Sequence, residues 1–204
     1  MAKSRTTKRS KKTTKPAQPQ TSKSKFKAAA LAIFIGVAVL AGGGLWQTQQ
    51  PDEAAFLDLV GQHEGPLKGV RTMPDLGRTH MTPGQTFEYP GPYPTSGPHS
   101  TVWTRTGVYD DLPPDVELVH ALEHGNIVIY YDQIDEKDLA TLEQWADLYD
   151  AQWSGIVVAR NPGIGDKVVL TAWRKILSQT SFDEIAAAAF IDTYRGRGPE
   201  HPVR

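Results

Sequence analysis

Asp115-Val-Glu-Leu-Val-His-Ala-Leu-Glu-His-Gly-Asn-Ile-Val-Ile-Tyr-Tyr131 reads as a short helix that stops at a glycine and runs directly into a strand. Leu118 and Leu122 recur at the helical interval, Asp115 stands where a helix cap is expected, and Gly125 suits the left-handed conformation that ends a helix. The apolar run from Asn126 to Tyr131 is a buried strand. Downstream, Leu139, Leu142, Trp145, Ala146 and Tyr149 recur at three and four, which predicts an amphipathic helix over residues 135–149. Residues 155–159 and 167–173 read as further strands, and residues 183–194 as a last helix. This order predicts an α+β domain, a small mixed sheet with covering helices on one side.

Upstream the pattern is different. Between Gly65 and Pro114 there are nine prolines and seven glycines, a density that breaks helices and leaves room only for short strands such as Gln85 to Tyr89. The aromatic residues Phe87, Tyr89, Tyr93, Trp103 and Tyr109 argue that this half is packed, so a Pro/Gly-rich loop half laid over the core is expected. Residues 52–62 read as a helical neck with Phe56, Leu57 and Val60 on one side.

Residues 1–27 carry ten Lys or Arg and no Asp or Glu, and residues 28–45, AAALAIFIGVAVLAGGGL, hold no charge and no proline. With Trp46 at the expected interface, this fits one transmembrane helix across a hydrocarbon core of roughly 30 Å, its basic flank cytoplasmic. Val39-Leu40-Ala41 before Gly42 also resembles a signal-peptide cleavage site, a reading that equally carries the domain out of the cytoplasm. The expected organisation is a basic cytoplasmic tail (1–27), a transmembrane helix (28–46), a linker or neck (47–62) and an extracytoplasmic domain (63–204), placing the chain in the cell membrane as a single-pass protein. The tail suits anionic lipid. Beyond it, twelve of the chain's 22 Lys and Arg face all 23 Asp and Glu, and an outer domain so acidic argues against nucleic acid as a partner. With no cysteine in the chain, disulfides, thiolate metal sites and cysteine catalysis are excluded.

Four of the six histidines lie between His80 and His124. On a helix, His120 and His124 stack on one face at about 5–6 Å between Cβ atoms, close enough to share one ion. His99 ends the stiff segment Pro94-Thr-Ser-Gly-Pro-His99, and His80 is a plausible fourth ligand. Neutral imidazoles in this number suit zinc or copper, with Met81 as a soft axial neighbour and Glu123 orienting a histidine. His63 and His201 read as structural. Ser96 is better explained by a Thr-Ser-Gly-Pro turn than as a nucleophile.

The segments Gly77-Arg-Thr-His80, Tyr93-Pro-Thr-Ser-Gly-Pro-His99, Gly107-Val-Tyr109, Val119-His-Ala-Leu-Glu-His-Gly125, Thr171-Ala-Trp173 and Gly198-Pro-Glu200 occur in that order. Together they resemble the bacterial family called domain of unknown function 3105, across roughly residues 62–200. The resemblance implies a short cytoplasmic tail, one membrane span and an outer domain, and directs attention to His80, His99, His120, Glu123, His124 and Tyr109. It implies no reaction.

Three functions are compatible with these residues. One is a membrane-anchored protein that binds zinc or copper through the histidine cluster. Another is a zinc-dependent hydrolase, since His120-Ala-Leu-Glu123-His124 matches the H-x-x-E-H pattern in which the glutamate activates water, with Glu200 as a distant third ligand. The last is a non-catalytic envelope protein whose aromatic loop, Tyr89 to Trp103, docks a partner while the histidines are structural.

Overall fold

The computed structural model describes residues 52–204. The expected tail and membrane span, residues 1–46, lie outside the described residues. Among the described residues, no helix is long and apolar enough to cross a membrane.

The elements run α1 (Glu53–Gln62), β1 (Arg71–Thr72), β2 (Gly107–Tyr109), α2 (Asp115–Glu123), β3 (Ile127–Tyr131), α3 (Glu136–Leu148), β4 (Ile156–Arg160), β5 (Val168–Ala172), β6 (Lys175–Gln179) and α4 (Glu184–Tyr194). The strands form one mixed sheet in the order β1-β6-β5-β3-β4-β2. β4 is parallel to both β3 and β2, while β5 is antiparallel to β3 and to β6, and β1 is antiparallel to β6. A parallel pair needs a crossover, and α3 supplies it between β3 and β4. Asp135 starts that helix, its carboxylate accepting from the Asp138 amide at 2.8 Å.

Every residue of β3 is buried. Its side chains alternate between two cores: Ile127, Ile129 and Tyr131 enter one, Val128 and Tyr130 the other. A strand buried on both faces has no polar side, which is why it reads as a continuous apolar run. The first core is closed by α1, α3 and α4, through Phe56, Leu142, Trp145 and Phe190 among others. The second is closed by Leu118 and Leu122 of α2, with Tyr93, Tyr109 and Trp173 from loops and strand ends. Helices on one side only is therefore corrected. The leucines of α2 pack on Val128 and Tyr130, and the loop half joins α2 on that second face.

Other local expectations also change. Asp115 is not the cap: Pro114 occupies that position with no side-chain bond, and Asp115 is the first helical residue, where its charge complements the helix dipole. Residues 85–89 form no strand. Pro83-Gly84 makes a turn before them and Pro90 follows, so the flanks lack the amides a ladder needs. Phe56 of α1 is buried against Trp145 and Tyr149, with ring centroids 5.4 and 5.1 Å away, whereas Leu57 is exposed. β6 went unforeseen because the turn before it, Trp173-Arg174, carries no glycine or asparagine; Arg174 itself takes the left-handed conformation at φ 59°.

Candidate metal centre

Three stretches of irregular chain meet the C-terminal end of α2, and backbone hydrogen bonds hold each in place. The Thr79–Met81 stretch lies beside His99: the His99 amide donates to the Thr79 carbonyl at 3.0 Å, and the Met81 amide to the His99 carbonyl at 2.7 Å. This single parallel bridge sets His80 and His99 side by side, ring centroids 4.8 Å apart. The next residue docks on the helix, the Ser100 amide donating to the Val116 carbonyl at 3.1 Å. The C-terminal stretch crosses the helix end, with the Gly196 amide on the Gly125 carbonyl at 2.8 Å and the Glu200 amide on the Glu123 carbonyl at 3.3 Å. The Arg78 guanidinium ties it further by donating to the Pro199 carbonyl at 3.0 Å.

Gly125 and Gly198 make this crossing possible. Gly125 takes φ 97°, and a Cβ on Gly198 would overlap the Glu123 carbonyl oxygen and the Gly125 amide. The two backbones touch where side chains would stand.

The result is a convergence of the expected ligands. His80, His99 and His120 form a triangle with ring centroids 4.8 to 5.0 Å apart, and His124 follows His120 at 4.6 Å. Glu123 is more central than an orienting neighbour, its Oε2 lying 3.0 Å from His99 Nε2 and 3.8 Å from His80 Nε2. Glu200, which the sequence offers only as the distant third ligand of a hydrolase, places Oε2 3.0 Å from His124 Nε2 and 4.0 Å from His120 Nε2. Two sets of donor atoms are thereby compact enough to hold a metal ion: His80, His99, His120 and Glu123, and His120, His124 and Glu200, each within 4.8 Å. The side chains of His99, His120, Glu123 and His124 are almost wholly buried.

The remaining sequence candidates lie differently. Met81 contributes its backbone to the bridge. Tyr109 is on β2, its hydroxyl donating to the Arg105 carbonyl at 2.9 Å and its ring packed in the second core. His201 meets Trp153 edge to face at 5.2 Å, and Trp103 and Trp153 flank His124 at 4.9 and 4.2 Å. Ser96 is buried, its hydroxyl donating to the Pro74 carbonyl and accepting from the Leu76 amide, both at 3.1 Å, as a turn residue would.

Hydrogen bonds fix which nitrogens face inward. His99 Nδ1 lies 2.8 Å from the Gly97 carbonyl and His120 Nδ1 lies 2.8 Å from the Ser100 carbonyl. A carbonyl only accepts, so Nδ1 carries a proton in both rings and Nε2 is the nitrogen each turns to the centre. Burial pushes His120 down to about 4, with the neighbouring His124 and His99 adding to the effect. Burial also lowers His124, against the pull of the Glu200 carboxylate. Both shifts favour the neutral ring, the form that ligates metal.

One contact needs a cation to make sense. His99 Nε2 and Glu123 Oε2 approach to 3.0 Å, yet neither buried atom has a hydrogen-bond partner. Two lone pairs facing each other in a dry interior repel, and a group bearing positive charge between them turns that repulsion into attraction.

No curated protein and no solved structure matches the chain. Residues 80–204, a stretch that includes all four clustered histidines, Glu123 and Glu200, match the family described as "Protein of unknown function (DUF3105)", and the chain belongs to that family.

Proposed function

We propose that the protein is a membrane-anchored metal-binding protein that holds one transition-metal ion, zinc or copper, between His80, His99, His120 and Glu123. The observation that carries this reading is the buried, unpartnered pair His99 Nε2 and Glu123 Oε2. Three imidazoles and a carboxylate are a complete four-donor set for zinc, and imidazole suits copper as well. The Nδ1 bonds to Gly97 and Ser100 fix ring orientation from behind, as outer hydrogen bonds do in metal sites. When bound, the ion would supply Lewis acidity if zinc and one-electron exchange if copper. Residues 28–46 anchor the chain, the basic tail meets anionic lipid on the cytoplasmic side, and the acidic domain stands outside in the envelope.

The competing explanation is a proton in place of the metal, making His99 an imidazolium paired with Glu123. Elemental analysis of the full chain, purified without a histidine-rich tag, separates the two. About one zinc or copper per chain, absent from His120→Ala, is the expected result. No ion in either protein, and none taken up on titration, would overturn the proposal and leave the histidines structural, as in an envelope protein that works through a partner.

Hydrolysis is the lesser reading of the same residues. It requires Glu123 to take a proton from water at the ion, whereas its Oε2 sits among the ligand atoms, against His99 and His80.

A further inference from the structure

The proposed site leaves two partners at the same helix end without a role. His124 Nε2 stands 3.0 Å from Glu200 Oε2, and His120 Nε2 lies 4.0 Å from that same oxygen. These three donors form the second group able to hold an ion, and His124 Nδ1 is buried there without a hydrogen-bond partner.

His120 belongs to both groups through a single atom. Its Nδ1 is engaged by the Ser100 carbonyl, so only the Nε2 lone pair is free, and one lone pair serves one ion. The two sets cannot be complete at once. They do match in charge: each has one carboxylate, Glu123 in the first and Glu200 in the second. Passage between them exchanges Glu123 for Glu200 and the imidazoles of His80 and His99 for that of His124 with its ring proton on Nδ1, and the coordination place left over goes to water or an incoming ligand, so the charge of the donor set is unchanged.

The two positions differ in coordination and in access. The first has four protein donors, the closed arrangement of ions that are held, and the second has three, which leaves a place for an incoming ligand. The first reaches solvent at His80, whose side chain is 46% exposed beside a cavity of about 390 Å³ lined by Met81, Gln85 and Phe87. The second reaches solvent at Glu200, 38% exposed. Everything between these two ends is buried.

We infer that the four histidines form a relay for one metal ion, with His120 as the ligand common to a closed position at His80, His99 and Glu123 and an open position at His124 and Glu200. His120 keeps hold while the other ligands change, and an acceptor with a metal-binding group takes the ion at the open end. This rests on the reading of the first group as a metal site.

The test uses the full chain without a histidine-rich tag, titrated with Zn²⁺ for stoichiometry and with Co²⁺ for the absorption spectrum of the bound ion. One ion per wild-type chain is expected. His99→Ala should still bind one, with a changed Co²⁺ spectrum and affinity about tenfold or more weaker, and adding Glu200→Gln should weaken it at least about tenfold again. Glu200→Gln alone should keep the wild-type spectrum while a chromophoric chelator removes its Zn²⁺ about tenfold more slowly. Two ions per wild-type chain, a His99→Ala protein indifferent to Glu200→Gln, or an unchanged removal rate in Glu200→Gln would each overturn the relay while leaving the first site standing. A wild-type chain that binds no ion refutes the underlying metal site instead.

Discussion

Replacing Gly198 by alanine isolates what the crossing of the C-terminal stretch over α2 contributes. The new Cβ would overlap the Glu123 carbonyl oxygen and crowd the Gly125 backbone, both rigid main-chain atoms that cannot rotate aside. The stretch must lift, and two hydrogen bonds lie in its path, Gly196 amide to Gly125 carbonyl at 2.8 Å and Glu200 amide to Glu123 carbonyl at 3.3 Å. Overpacking costs about 1–3 kcal/mol, and the two bonds contribute about 1 kcal/mol each, so a loss of about 3 kcal/mol is expected, the strain relaxing as the bonds lengthen. For a domain of this size that is a fall of roughly 6–12 °C in melting temperature. Thermal unfolding followed by circular dichroism, in chelator so that no ion contributes, measures it. Gly61→Ala is the control, since a Cβ there meets nothing within 4 Å and the helical position of α1 gains about 0.5–1 kcal/mol from alanine. A Gly198→Ala protein melting within about 1 °C of the parent would refute the close backbone contact and with it the placement of Glu200.

Glu123→Gln should weaken Zn²⁺ binding about 10–100-fold in isothermal titration if the carboxylate is a ligand, whereas a hydrolase in which Glu123 only activates water would lose turnover and keep its metal. Phe56→Ala should cost about 3–5 kcal/mol in chemical denaturation, because the ring is buried between Trp145 and Tyr149; a cost under about 1 kcal/mol would mean that α1 is not part of the core. The metal-free chain should lose stability as pH falls. His120 takes up a proton near 6.5 when unfolded and only near 4 when folded, so between these values the unfolded state binds more protons, and stability drops by up to about 1.4 kcal/mol per unit across that window. His120→Ala should flatten that part of the pH profile of denaturation midpoints, and an unaltered slope would show that the ring is not held neutral.

How far the sequence can be read depends on whether the signal is local. The helix and strand around Gly125 are legible because Leu118, Leu122 and the run from Ile127 to Tyr131 carry their periodicity within a few residues. The histidine pair follows from helical spacing, and Glu123 lies on the same buried helix end. That His99 and His80 join them rests on a two-bond bridge between loops, which proline stiffness suggests without specifying. Glu200 is faint in the sequence for the same reason: its approach to His124 depends on backbone packing at Gly125 and Gly198, and the only trace in sequence is the pair of glycines. The face covered by α2 was missed because a strand buried on both sides gives no alternation from which to assign helices to faces.

The sheet ends in two very short strands, Arg71–Thr72 at one margin and Gly107–Tyr109 at the other. Unsatisfied amides and carbonyls along an open margin are the template on which separate chains pair into aggregates, and strands of two and three residues offer little of it. A domain without a disulfide to lock it keeps its most adhesive backbone in the middle of the sheet and leaves neighbouring copies almost nothing to zip onto.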